Sequence, residues 1–359
     1  MTSSLQRVVV RWPNWVGDAV MATPVLRELD RALPQAGVWI VGRRSARVML
    51  AGFPGIAGWI EYRDAEHGGL RGAWRLARSL ARHRFDAALI LPNSFASALA
   101  PFLARIPRRL GYHLEHRSLL LTDGLRPAME GRRRRPEPMT RYYLALTARL
   151  TGEPGASHRG DERVELRVTE DEEERARPLL RSLGLETGER YAAVNPGASF
   201  GPSKLWTPHA FSDVVRGLHR ELSLRSLVLC GPGEEGLAAD ISRRAGAAAI
   251  DTSSALIPLD LLKPVLRDCE VLVTTDTGPR HIAVAFDTPV VVVMGATDPR
   301  YTASNLHCTE VLRIEVDCSP CHKKVCSERT HRCMEGIEPS WVLEAAKSLL
   351  KRRTSPSSR

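Results

Sequence analysis

The 359-residue sequence is poor in aromatic side chains, at 6% of its residues. It contains no apolar run approaching the roughly 18 to 20 residues that cross a bilayer. The N-terminus also lacks the basic stretch and long apolar core of a secretory signal. These absences predict a cytoplasmic protein. No zinc-finger helix, RNA-binding signature or interleaving of aromatic and basic residues is present, so nucleic acid is not an expected partner. No GxGxxG follows the first strand, which argues against a dinucleotide-binding dehydrogenase, and no Walker spacing supports an ATPase. Internal repeats, extended low-complexity tracts and a DxD motif are also missing.

What is present is enough apolar sequence, 43% of the chain, for two cores. The length favours two domains of about 150 to 200 residues. Fifty-one basic and 41 acidic side chains give a net charge of +10, which favours anionic partners such as phosphates or an acidic membrane face. Short apolar runs alternate with helix-period segments. Residues 7–11, 37–41, 86–91, 191–195, 226–230, 270–274 and 289–294 read as strands, and Ala22, Val25, Leu26, Leu29 and Leu33 share one helix face. Continuous β-branched strands belong in parallel sheets covered on both sides. The expectation is therefore two doubly wound, Rossmann-like α/β domains: residues 1–168, residues 169–352 with a terminal helix over 338–350, and a flexible tail over 353–359.

Open α/β sheets bind ligands where loops leave the carboxyl ends of their strands. Three such ends in the second half carry glycine-rich, donor-bearing loops. NPGASFGPSKLW, residues 195–206, offers Ser199, Ser203 and Lys204 to an anionic oxygen. CGPGEEG, residues 230–236, places Glu234 where it can take ribose hydroxyls or simply open a helix. VTTDTGPRHIAVA, residues 273–285, reads as a strand followed by a helix with Pro279 in its first turn. There Thr277 and Gly278 expose amides, Asp276 can face sugar hydroxyls, and His281 lies in the first turn. An ordinary capped helix explains this stretch equally well by itself. The conjunction of the three loops points to a nucleoside diphosphate. In the first half, WPNWVGD places Asn14, Trp15, Gly17 and Asp18 at the end of the first strand, with Asp18 either catalytic or merely compensating a helix dipole.

NWVGDAVMATPVLREL, PGASFGPSKLW and TDTGPRHIAVA, in that order, resemble the lipopolysaccharide heptosyltransferases, and PGASFGPSKLW is most like the type II members. The resemblance runs from about Arg7 to Val342. It implies a GT-B fold with a central cleft, acceptor binding in the N-terminal domain and nucleotide sugar in the C-terminal domain. It further implies ADP-heptose as donor and the inner-core heptose of heptosyl-Kdo-lipid A as acceptor, at the cytoplasmic face of the inner membrane. Matched by motif position, Asp18 is the general base and Lys204 the lysine on donor phosphate. Ser199, Glu234, Asp276, Thr277, Gly278 and His281 fall on the donor side. With Lys204 as a fixed cation and no DxD, an inverting, metal-independent transfer without a catalytic cofactor is expected. Within the family, type I transfer or another transferase using an ADP- or other nucleotide-sugar donor is the alternative.

The segments 106–117 and 132–138 concentrate basic residues in the first half, among them Arg109 and Arg117, as candidates for an acidic acceptor or an anionic membrane surface. CSPCHKKVCSERTHRC holds Cys318, Cys321, Cys326 and Cys333 within 16 residues. The opening CxxC suits a structural zinc, but the later spacing matches no standard ribbon, so free thiols are an equal reading. A nucleotide-sugar epimerase would need a Tyr-Lys pair that is not evident. A basic, zinc-containing nucleic-acid-binding protein would leave the three donor loops without a purpose.

Overall fold

The computed structural model describes residues 5–131, 133–152 and 161–354. Contacts divide the chain into two units, residues 1–167 and 168–359. In the first, the strands are β1 (Arg7–Arg11), β2 (Gly37–Gly42), β3 (Ile56–Glu61), β4 (Ala87–Ile90), β5 (Arg108–Tyr112) and β6 (Asp123–Leu125). They form one parallel sheet in the order β3-β2-β1-β4-β5-β6. A small antiparallel pair, β7 (Met129–Glu130) and β8 (Arg133–Arg134), follows. The helices are α1 (Val16–Met21), α2 (Pro24–Ala32), α3 (Arg44–Met49), α4 (Asp64–His67), α5 (Gly69–Ala81), α6 (Phe95–Leu103) and α7 (Met139–Thr151).

The RVVVR run shows why this sheet must be covered twice. Side chains alternate across a strand. Val8 and Val10 enter a core with residues of α1, α2 and α7, while Val9 enters a second core with residues of α5 and α6. A polar residue in either row would lose its water without gaining a partner.

The second unit repeats the design. Its strands β9 (Tyr191–Asn195), β10 (Arg225–Val228), β11 (Ala249–Asp251), β12 (Leu272–Thr275), β13 (Val290–Val293) and β14 (Thr309–Leu312) form a parallel sheet in the order β11-β10-β9-β12-β13-β14. The helices are α8 (Glu170–Ser182), α9 (Pro208–Leu222), α10 (Glu235–Ala245), α11 (Leu262–Asp268), α12 (Gly278–Val284), α13 (Arg332–Glu335) and α14 (Pro339–Thr354). Helix α8 opens with a full capping box, in which Thr169 and Glu172 each accept the other's backbone N–H. The Glu172 carboxylate also meets Lys263 of α11 at 2.7 Å, with both side chains buried.

The terminal helix runs further than the pattern 338–350 suggests. Arg352 reaches Glu310 at 3.0 Å, so residues expected to begin a flexible tail at 353 still complete the last turn. The rest of that tail, and Arg132 of the basic run, lie outside the described residues. Among the described residues no helix is long and apolar enough to cross a membrane.

The buried pair offers a direct test of how the second unit is held. Lys263→Met leaves the Glu172 carboxylate buried without this cation, and urea unfolding should show a loss of about 3 to 5 kcal/mol. A loss below about 1 kcal/mol would mean the pair behaves like an exposed one.

Candidate active site

In each sheet the strand order reverses beside the first strand of the unit, between β1 and β4 and between β9 and β12. Such switch points leave a crevice at the carboxyl ends, because the two connections depart in opposite directions. In the second unit Asn195 ends β9 and ties the two sides together. Its Nδ2 donates to the hydroxyls of Thr274 at 3.2 Å and Thr277 at 3.1 Å. The Thr275 hydroxyl donates to the Gly197 carbonyl at 3.1 Å.

The loop after β9 has little freedom. A Cβ on Gly197 would collide with the Glu234 carboxylate, and one on Gly201, whose φ is +149°, would lie 2.5 Å from the Lys324 carbonyl. Glu234 accepts the amides of Ala198 and Gly231, each at 2.9 Å, and so fastens the β9 loop to the β10 loop. Pro202–Lys204 form a single 3-10 turn that sets the direction of Lys204. Ser199 is exposed on the same loop.

Lys204 Nζ lies 2.9 Å from Asp276 Oδ2 and 2.8 Å from the Asp276 carbonyl. Arg280 Nη1 meets Asp276 Oδ1 at 3.0 Å, and the Thr297 hydroxyl donates to Asp276 Oδ2 at 2.7 Å. Burial works to raise the Asp276 carboxyl, but the Arg280 and Lys204 charges outweigh it and hold the group well below the usual carboxylate range. Burial depresses Arg280, and the Asp276 charge opposes that shift. His281 is lowered to about 3 by burial and then by the Arg280 and Lys204 charges. Its ring is half-buried, and the two cations push the same way as burial.

Thr277 precedes α12 and Gly278 begins it, but the Thr277 side chain makes no cap to that helix. Its hydroxyl is engaged with Thr274, Thr275 and Asn195. Arg280, Thr297 and Asn195 join the site without having stood out in the sequence. Only Arg280 carries a signal there, its i,i+4 spacing from Asp276 across a helix start.

In the first unit, Asp18 lies in the first turn of α1, and Tyr143 of α7 donates to its Oδ1 at 3.3 Å. Burial and then the Asp18 charge raise the Tyr143 hydroxyl. Asn14 and Trp15 lie in the β1–α1 turn and Gly17 in the first turn of α1 beside Asp18, with Trp15 62% exposed. Arg11, a residue that spacing alone does not single out, sets this turn. Its buried guanidinium donates to the carbonyls of Trp12 at 2.8 Å and Val41 at 3.2 Å and to Asn14 Oδ1 at 3.0 Å. It stacks 4.2 Å from the Tyr62 ring centroid, and burial lowers it to about 10.

Arg117 is spent on packing, while Arg109 is half-exposed. Arg117 has no exposure, and its guanidinium braces the carbonyls of Tyr112 and Pro92 and the Ser97 hydroxyl, so from this position it reaches no acceptor. Arg109 donates to the carbonyls of Leu120 and Ile106.

Residues 73–331 match the family described as glycosyltransferase family 9 (heptosyltransferase). The chain belongs to that family. This glycosyltransferase is 29% identical to lipopolysaccharide heptosyltransferase 2 of Salmonella typhimurium, over 96% of its own length and 98% of the relative's. Its fold matches the solved Escherichia coli ADP-heptose LPS heptosyltransferase II with a TM-score of 0.77 at 25% identity, covering 98% of this chain and 100% of that one. E. coli heptosyltransferase WaaC with ADP-2-deoxy-2-fluoro heptose matches with a TM-score of 0.65 at 17% identity, over 97% of this chain and 100% of that one. The two parallel six-stranded sheets are accordingly those of a GT-B glycosyltransferase.

The glycosyltransferase keeps its cysteine segment apart from these loops in sequence. Cys318 is exposed, and Cys321, Cys326 and Cys333 are half-buried free thiols. Burial and then Cys318, Cys321 and Cys326 push the Cys333 thiol up. Backbone amides at residues 328–331 favour the Cys326 thiolate. Among the described residues, no three His, Cys, Asp or Glu side chains are gathered in a way that would hold a metal ion.

The lowered His281 ties the stability of the β12–α12 segment to pH. Unfolded, the ring titrates near its ordinary 6.5; folded, it stays neutral down to about 3. Between those values the unfolded chain binds the extra proton, so stability falls as pH falls. His281→Gln should flatten the urea-stability profile between about pH 7 and pH 5. An unaltered slope would show that other groups carry it.

Proposed function

We propose that the chain transfers L-glycero-D-manno-heptose from ADP-heptose to the inner-core heptose of heptosyl-Kdo-lipid A during lipopolysaccharide core assembly. The observation that carries this reading is the Asp276 carboxylate held between Lys204 and Arg280 beside the glycine-bearing β9 loop. It is a cationic crevice suited to a diphosphate with a carboxylate placed for sugar hydroxyls. The near full-length likeness to heptosyltransferase 2 of Salmonella supports the choice of sugar and acceptor. The donor analogue named with WaaC supports a nucleotide sugar.

In this reading the acceptor hydroxyl attacks the anomeric carbon while its bond to the ADP oxygen breaks. The bonding electrons leave with ADP, and the hydroxyl proton passes to Asp18. The configuration inverts because attack and departure occupy opposite faces. Lys204 turns from Asp276 to the leaving diphosphate, and Arg280 keeps the carboxylate neutralised meanwhile. Tyr143 orients Asp18. Ser199 and the Thr277–Gly278 backbone contact the phosphates, His281 stays neutral beside them, and Glu234 holds the loops rather than reaching ribose directly. Fixed cations supply the charge that a metal would otherwise bring, so the transfer is assigned no metal or other catalytic cofactor. Asn14, Trp15 and Gly17 border the acceptor, and the protein works against the anionic cytoplasmic face of the inner membrane.

A separate part of the proposal assigns one structural zinc to Cys318, Cys321, Cys326 and Cys333. It requires the four thiols to draw together from their present arrangement. Its support is the opening CxxC and the gathering of four cysteines within residues 318–333 of the sequence.

Incubation with ADP-heptose and heptosyl-Kdo-lipid A in EDTA should yield a product one heptose heavier. Activity on Kdo-lipid A alone would favour type I transfer instead. Asp18→Asn should lower turnover by roughly 10²- to 10⁴-fold while leaving ADP affinity unchanged. A large loss of ADP affinity would move Asp18 to the donor side. Metal analysis of the purified protein should find about one zinc per chain, lost with Cys326→Ser. Metal-free protein with all four thiols open to titration would remove the zinc.

A further inference from the structure

Helix α5 has two unlike faces. Leu76 and Leu80 are buried in the first unit, while Leu70, Arg71, Trp74, Arg75, Arg78 and Arg82 face outward at the helix and its C-terminal edge. Leu70 is 77% and Trp74 55% exposed, and they stand one turn apart. The arginines recur at spacings of four, three and four residues, so they form one stripe alongside Leu70 and Trp74. All six border a single shallow concavity.

This stripe carries uncompensated charge. Among the described residues, none of the four arginines makes an ion pair. Arg75 donates to the Glu66 carbonyl at 3.1 Å, and Arg78 lies 4.9 Å from the Trp74 ring centroid. The nearby Glu66 carboxylate is occupied by Arg63 at 2.9 Å. Among the described residues these four guanidinium groups, none in an ion pair, are engaged only by one hydrogen bond to a carbonyl and one ring contact, beside an exposed tryptophan and leucine. The combination matches the demands of a headgroup layer, where phosphates take arginine and the acyl boundary takes tryptophan and leucine.

We propose that the outward face of α5 docks the protein on an anionic phospholipid surface, with the arginines on phosphates and Trp74 and Leu70 at the acyl boundary. The proposal deepens the reading of a lipid-borne acceptor by naming the surface. It differs from the basic segments 106–117 and 132–138, whose described residues lie in strands and loops rather than on one helix face. Each arginine near an anionic bilayer contributes roughly a fivefold gain in partitioning at ordinary ionic strength.

The test uses the full chain and phosphatidylcholine vesicles with and without phosphatidylglycerol. Wild type should float with the anionic vesicles and not with the neutral ones. Arg71→Ala/Arg78→Ala/Arg82→Ala should lose binding by about 100-fold. Trp74→Ala should lose several-fold at both low and high salt. Arg177→Ala/Arg181→Ala, which removes charge from α8, should bind as wild type does. Unchanged flotation of the triple variant, or no binding of wild type to anionic vesicles, overturns the proposal. So does full displacement of the vesicles by duplex DNA with Trp74→Ala indifferent, which assigns the stripe to nucleic acid. Transfer to a deacylated, soluble acceptor should be equal in wild type and variants. Its absence from all of them would count against the transferase reading alone and leave the lipid result standing.

Discussion

A carboxylate withdrawn from water gives up its charge unless cations replace the lost hydration, and Asp276 keeps its charge because two cations and a hydroxyl surround it. Much else in the second unit follows from that arrangement. Lys204 is drawn to the end of β12, so the β9 loop must fold over it, and the two glycines of that loop are required where Glu234 and Lys324 come close. Arg280 then serves as a second counter-charge, which lets the carboxylate stay ionised when Lys204 has another anion to meet. The neutral His281 completes the arrangement by adding no third positive charge.

The first unit solves a similar problem differently. Arg11 is buried at the same kind of switch point, yet backbone carbonyls and Asn14 satisfy it rather than a carboxylate. Neutral acceptors leave its charge uncancelled while fixing the turn that carries Asp18. Such a centre favours anions nearby. The burial of Arg117 has the opposite consequence. Its hydrogen bonds are all internal, and the charge serves the loop after β4.

Central strands are legible in the sequence because both of their faces are buried and their residues are accordingly continuous and apolar. β1, β9 and β13 illustrate this. Edge elements such as β3, β6, β11 and β14 are not, because half-exposed positions accept glycine, glutamate and aspartate at little cost. Residues 195–206 and 273–285 are also legible as ligand loops. Glycine and proline there bare backbone amides, and a single lysine or a helix start adds positive charge, at the sheet edge where α/β folds take anions. Arg117 cannot be separated from true surface charge in this way, because a run of basic letters does not show which guanidinium groups turn inward.

The sequence by itself determined the class of fold, the alternation that buries both faces of each sheet, and the order of motifs that places the chain among heptosyltransferase-like enzymes. The first two are properties of local composition and spacing and hold whatever the neighbours are; the last rests on the resemblance of the motifs to known sequences. Only the tertiary structure decided that Asp276 is shared between Lys204 and Arg280, that Glu234 fastens two loops, that Tyr143 meets Asp18, and that Arg117 is interior. Each of these joins residues from different elements. Their energies depend on distance and desolvation, which spacing along the chain does not encode.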